Sequence, residues 1–258
     1  MTEHAEPTAR WQGRNSDKDV VRTDVWSALE SQAVAIGSPW SRIPNFEGAE
    51  RAAERLAELE IWKRAHIVKS NPDAPQIPVR LRALQEGKLL YTPVPELVAD
   101  FPFVLLDPEV LARRGIPFEE VAASEGAVRH GQPVQFQEMR PMDLIVVGCV
   151  AVTRNGGRIG KGGGFADLEL GIFRELGLVP PTTPILTTVH GLQVVDDRRV
   201  LMIAHDSPLD WIITPDEVIE TRTTYPQPHG VDWESVQADQ YRDIPFLVEL
   251  RQELDRRT

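Results

Sequence analysis

Within ten residues, Arg158-Ile-Gly-Lys-Gly-Gly-Gly-Phe-Ala-Asp167, the chain places four glycines, two cations and a carboxylate. Such a mixture suits a polyphosphate. Glycine lets the backbone come close to a ligand, and the free N–H groups at the start of a following helix favour an anion. Gly160, Gly162, Gly163 and Gly164, with Phe165 behind them, would form the cradle, while Arg158 and Lys161 supply charge. Asp167 is placed to hold a divalent cation. Two better-known phosphate loops are excluded. A Walker A loop needs glycine at the position of Asn155 and Ser or Thr at that of Gly162, and the dinucleotide fingerprint G-x-G-x-x-G breaks at Phe165. The plainer alternative is a surface turn with Lys161 solvated and Asp167 stabilising a helix start.

The elements around the loop must present it. Upstream, Asp143-Leu-Ile-Val-Val-Gly-Cys-Val-Ala-Val152 reads as one buried strand, rich in β-branched residues. Downstream, Phe165, Leu168, Ile172 and Leu176 recur at helical spacing, and Gly177 stands where a C-cap is expected. Val21, Val25, Leu29 and Ala33 mark one face of a first helix, and a second runs from Glu47 through Leu59. Strands are expected at 66–68, 89–91, 103–106, 184–189, 211–214 and 217–219, with helices at 79–85 and after Pro108 and Pro117. Strands alternating with helices imply a parallel or mixed sheet covered on both faces. Leu247, Leu250 and Leu254 suggest a C-terminal helix that docks on the core or meets another subunit.

These residues resemble the 5-formyltetrahydrofolate cyclo-ligase (5,10-methenyltetrahydrofolate synthetase) family, in which an Arg-Leu-Gly-rich run leads into Gly-Tyr-Tyr-Asp. The likeness continues through Gln193-Val-Val, His205-Asp206, Asp210 and Ile213-Thr-Pro215. It is strongest to the divergent methenyltetrahydrofolate synthetase domain-containing branch, which has Gly-Tyr-Ala-Asp-Leu-Glu where this chain has Gly164-Phe-Ala-Asp-Leu-Glu169. Val25 to Gln32 and Arg42 to Phe46 also resemble that branch. The match spans 20–230. It implies a three-layer, Rossmann-like α/β fold of the NagB/RpiA/CoA-transferase type, over 19–230, with a loose tail at 1–18 and a helical extension at 231–258.

The same resemblance implies an ATP- and Mg2+-dependent ligase that closes 5-formyltetrahydrofolate to 5,10-methenyltetrahydrofolate. Arg158, Gly160, Lys161, Gly162, Gly163 and Gly164 match the family's ATP loop, and Asp167 and Asp206 its magnesium ligands. Arg22 lies where the family places basic residues that reach the phosphates, but it reads first as part of a solvated helix face. His190, His205 and Asp210 read as loop or strand-end residues outside the machinery. The departures fall on the substrate side. Phe165 and Ala166 replace the family's paired tyrosines, and none of Glu47, Glu50 and Glu54 matches its substrate-contacting acid. If a folate binds, another aromatic must close the gap beside Ala166; Trp40, Phe46 and Trp62 are the candidates by family position, although each reads first as a plain core residue. The alternatives are therefore a ligase for a non-folate N-acyl or carboxyl compound, or a nucleotide- or folate-binding protein with little turnover.

Composition bounds these readings. A net charge of −11 argues against a nucleic-acid partner, whose phosphates it would repel. No apolar run is long enough for a membrane span and no signal-type segment opens the chain, so a cytoplasmic location is expected. The single cysteine, Cys149, lies in the apolar run and reads as a core residue. A small-molecule substrate and a possible homo-oligomer complete the expectations.

Overall fold

Residue parity along the strands shows how the molecule is layered. In the computed structural model, which describes residues 15–94 and 102–257, Val68, Leu90, Leu144, Val146, Leu186 and Ile213 enter one buried cluster. Their strand neighbours Ile67, Tyr91, Ile145, Ile185 and Ile212 enter another. Successive side chains of a strand point to opposite faces, so one sheet separates two cores.

That sheet has eight strands: β1 (Ile67–Ser70), β2 (Leu89–Pro93), β3 (Phe103–Leu106), β4 (Gln132–Val134), β5 (Leu144–Val146), β8 (Ile185–Thr188), β10 (Trp211–Ile213) and β11 (Val218–Glu220). Their order is β11-β10-β8-β5-β1-β2-β3-β4. The five strands from β10 to β2 are parallel, and antiparallel pairs finish both edges. Helices α2 (Ala49–Ala57) and α4 (Ile77–Gln85) pack on one face. Leu170 and Phe173 of α8 (Phe165–Glu175) fill the other with Phe103 and Phe136. The expected mixed, mostly parallel sheet covered on both faces is present.

A second sheet was not expected. The apolar run 143–152 is two strands, because β5 ends at Val146 and β6 (Ala151–Thr153) belongs to a three-stranded sheet with β7 (Arg158–Ile159) and β9 (Val194–Val195). The chain changes sheets around Gly148, where an added Cβ would lie 2.6 Å from Asp73 Oδ2. Continuous burial hides the break, since Val146 through Val152 are buried in either arrangement, apart from the glycine's missing side chain.

Helix α1 (Ser16–Ser31) packs on this small sheet through Val21, Val25, Trp26 and Leu29. Asn15 caps it, its side chain accepting from Lys18 N at 3.0 Å. The helix therefore starts within the expected tail, and it stops before Ala33, whose φ is +54°. Short helices α3 (Glu60–Arg64), α5 (Pro108–Arg113), α6 (Phe118–Ala122) and α7 (Ser124–His130) follow the chain around the large sheet. At the C-terminus, α9 (Ala238–Asp243) and α10 (Phe246–Arg257) dock on the core, with Leu247 and Leu250 buried and Leu254 packed beside them.

Candidate functional site

The order β5-β1-β2 sends the chain from β1 to one side and later back to the other. Open parallel sheets bind ligands at such a reversal, outside the carboxyl ends of the strands. Asn71, Pro72 and Asp73 follow β1, Val94 follows β2, and Gly148 follows β5; all of them line one cavity of about 610 Å3.

The glycine loop closes over this cavity. It leaves β7, runs through residues 160–164 and enters α8, so the strand–loop–helix context holds with β7 as its strand rather than the whole 143–152 run. Gly162 (φ +114°) and Gly164 (φ +71°) hold left-handed backbone that a side chain would strain. Gly164 is the N-cap of α8 and makes no side-chain cap bond. The helix thus opens on the cavity, and the start of a helix favours an anion.

Four cations border the same space: Arg158 and Lys161 from the loop, Lys18 and Arg22 from α1. Arg22 is not a solvated face residue. It is buried, pairs with Asp19, and its Nε donates to Gly160 O at 2.7 Å, which ties the helix to the loop. Lys18 was hidden by the tail assignment, although its four-residue spacing to Arg22 puts both on one helix face.

Asp167 and Asp206, far apart in sequence, line this cavity together. Asp167 Oδ1 takes the Arg158 guanidinium and accepts from Ser207 N at 2.8 Å. Asp206 Oδ2 pairs with Lys18 Nζ and accepts from Ile203 N at 2.9 Å. Arg158 Nε also donates to Ser207 O at 2.7 Å, so the Asp206-Ser207 turn is clamped to the loop. Among the described residues no group of three metal-ligating side chains exists. Two carboxylates fit a magnesium ion that arrives with phosphate oxygens and keeps its own waters.

Beneath the loop lie two further carboxyls that sequence reading missed. Asp73 lines the cavity, and burial raises its pKa against the opposing charges of Lys161, Arg80 and Lys69. Arg80 shapes that corner by donating to the carbonyls of Asn71, Pro72 (3.2 Å) and Asp73 (3.1 Å), and burial lowers its own pKa to about 10. Glu169 pairs with the fully buried Lys69 of β1. Burial pushes Glu169 up and Lys69 down, each toward its neutral form, and their mutual attraction opposes both shifts. For Glu169 the sequence offers no local signal, since helix residues two apart do not share a face with Asp167. For Asp73 the sequence offers only a turn-like Asn-Pro-Asp.

The remaining candidates fall into place. His205 lines the cavity with Nδ1 3.3 Å from Asp232 Oδ2. His190 caps a 3-10 turn, accepting from Leu192 N at 3.2 Å, and Asp210 Oδ2 accepts from Ile185 N at 2.8 Å; neither lines the cavity. Cys149 is buried, and burial raises its thiol pKa. The aromatic candidates for the gap beside Ala166 do not reach it. Phe46 and Trp62 are buried beneath α2, and Trp40 packs against Trp26 at 5.8 Å.

Fold and site together define an α/β protein with a glycine-lined cavity, bordered by four cations and six carboxyl side chains, at the reversal point of its sheet. Comparison with known proteins narrows this class. The model of the 5-formyltetrahydrofolate cyclo-ligase family matches residues 14–215, and the chain belongs to that family. Among curated relatives, the methenyltetrahydrofolate synthase domain-containing protein of Bos taurus is 39% identical over 236 residues, covering 91% of this chain and 62% of the relative. The Homo sapiens counterpart is 38% identical over 236 residues, covering 91% and 61%. The chain therefore spans about three-fifths of the length of these relatives. The solved 5,10-methenyltetrahydrofolate synthetase of Aquifex aeolicus has a similar fold, with a TM-score of 0.50 at 21% identity over 82% of this chain and 96% of that one.

Proposed function

We propose that the protein is an ATP- and magnesium-dependent cyclo-ligase, resident in the cytoplasm, that converts 5-formyltetrahydrofolate to 5,10-methenyltetrahydrofolate and releases ADP and phosphate. The observation that carries this reading is the convergence of Lys18, Arg22, Arg158 and Lys161 with the α8 N-terminus on one cavity. Family membership supports the reaction type.

MgATP supplies the phosphoryl group that activates the formyl oxygen, after which N10 closes on the formyl carbon. Little covalent chemistry is left to the protein, so alignment and charge neutralisation do the work. Lys161 and the loop N–H groups hold phosphate oxygens. Asp167 and Asp206 hold the metal. Arg158 and Arg22 act chiefly by fixing the turn and the loop, because their donors are engaged with Ser207, Asp167 and Gly160.

A second reading keeps the ATP chemistry but takes a non-folate N-acyl or carboxyl compound. Phe165-Ala166, in place of paired tyrosines, favours it. One assay tests both: purified protein with MgATP and 5-formyltetrahydrofolate, following the methenyl chromophore and ADP together. Stoichiometric appearance of both is expected, with Lys161→Ala lowering turnover roughly 10- to 100-fold, the worth of one hydrogen bond to a charged group. ADP release with a different acyl compound alone would establish the second reading. Binding without turnover of any acyl compound would leave a nucleotide- or folate-binding protein.

A further inference from the structure

The family match ends at residue 215, yet the cavity does not. Val231, Asp232, Val236 and Gln240 line it, and they come from a segment that sequence reading set apart as an extension. We propose that residues 230–240 form the wall that decides which acyl substrate the site accepts. This inference rests on the ligase reading for the identity of the second substrate.

Three contacts seat the segment on either side of Ala166. Toward the loop, Gln240 Nε2 donates to Gly163 O at 3.4 Å. Toward α8, Val231 N donates to Glu175 Oε1 at 3.1 Å, and an added Cβ on Gly171 would lie 3.0 Å from Gly230 O and Val231 Cα. Asp232 meets His205 beside the Asp206 turn. The segment and Ala166 thus line the same cavity, and none of Trp40, Phe46 and Trp62 lines it.

Its charge selects the ligand that it meets. Residues 230–240 contain no lysine or arginine, and Asp232 and Asp239 both line the cavity. Such a wall repels phosphate, which the ligase reading places at Lys161 and the glycine loop. Val231 and Val236 add apolar surface, and Gln240 and Asp232 add hydrogen-bonding groups, the mixture that a flat acylated heterocycle with N–H donors requires.

Truncation would strip Ile244, Leu247 and Leu250 from the core, so the test uses Val231→Ala and Val236→Ala in the full chain. For parent and variants, KM and calorimetric Kd are measured separately for 5-formyltetrahydrofolate and for MgATP, with thermal unfolding alongside. Both variants are expected to raise KM and Kd for the folate about fivefold or more while those for MgATP stay within about twofold, the signature of lost ground-state binding to one substrate. If the parent shows no turnover, the cyclo-ligase reading fails, and the wall is judged on folate Kd alone. A variant that binds 5-formyltetrahydrofolate differently from the parent by about fivefold, in either direction, then upholds it. Equal losses for folate and MgATP, or folate binding indistinguishable between parent and both variants, would overturn it.

Discussion

Asp73 shows how a single side chain carries information about its surroundings. Its carboxyl faces the cavity close to Gly148, and burial raises its pKa. A carboxyl with a folded pKa above the unfolded value of about 3.9 binds its proton more tightly when folded, so the fold loses stability as pH rises through the folded pKa. Asp73→Asn cannot ionise and escapes this loss. The melting temperature of the variant minus that of the parent should therefore grow between pH 4 and pH 7; a difference that shrinks would show Asp73 to be stabilised as the anion. Asp167 calls for a different caution. As a metal ligand it invites replacement by alanine, but it also neutralises the buried Arg158 and accepts from Ser207 N. Its loss would disturb both fold and site, so Lys161 is the cleaner probe of phosphate binding.

Elements meet at the Lys69–Glu169 pair, which joins β1 to α8 below the loop. Both side chains are almost fully buried, so desolvation has cost much of what their attraction returns. Removing one partner leaves an uncompensated charge. Lys69→Met and Glu169→Leu should each destabilise the protein by about 3–5 kcal/mol, whereas the double variant should recover most of that loss. Chemical denaturation of the three proteins gives the coupling energy. Additive losses would mean that the pair is not the link between strand and helix. Because α8 begins at the loop, weakened MgATP affinity in the single variants that the double variant restores would tie this link to the cradle.

At the scale of the molecule, the cavity depends on three parts distant in sequence: α1 with the small sheet, the carboxyl ends of β1, β2 and β5, and the C-terminal segment. The last is held by α10, whose Leu247 is completely buried in the core that also contains Phe136 and Phe173. Leu247→Ala should cost about 2–5 kcal/mol and, at this chain length, lower the melting temperature by roughly 2–4 °C per kcal/mol. Val248→Ala, at a position 43% exposed, should be nearly neutral. Equal melting temperatures for the two variants would mean that the extension folds independently of the core.

Much of this was legible in the residues. Alternating apolar runs and helix signals gave the covered, mostly parallel sheet, since burial on both faces forces β-branched runs and a 3.6-residue period forces helical stripes. Glycines, cations and a carboxylate before an amphipathic helix marked the loop that lines the cavity. Tertiary structure alone decided the rest. Whether 143–152 is one strand or two depends on Asp73 and Ile43 crowding Gly148 from distant segments. Whether Arg22 is solvated or buried depends on where α1 lands, and its contact with Gly160 spans residues that no local pattern connects. The wall at 230–240 was invisible for the same reason. Its residues carry no periodic signal, and only contacts with the distant glycine loop, α8 and the core bring them to the cavity.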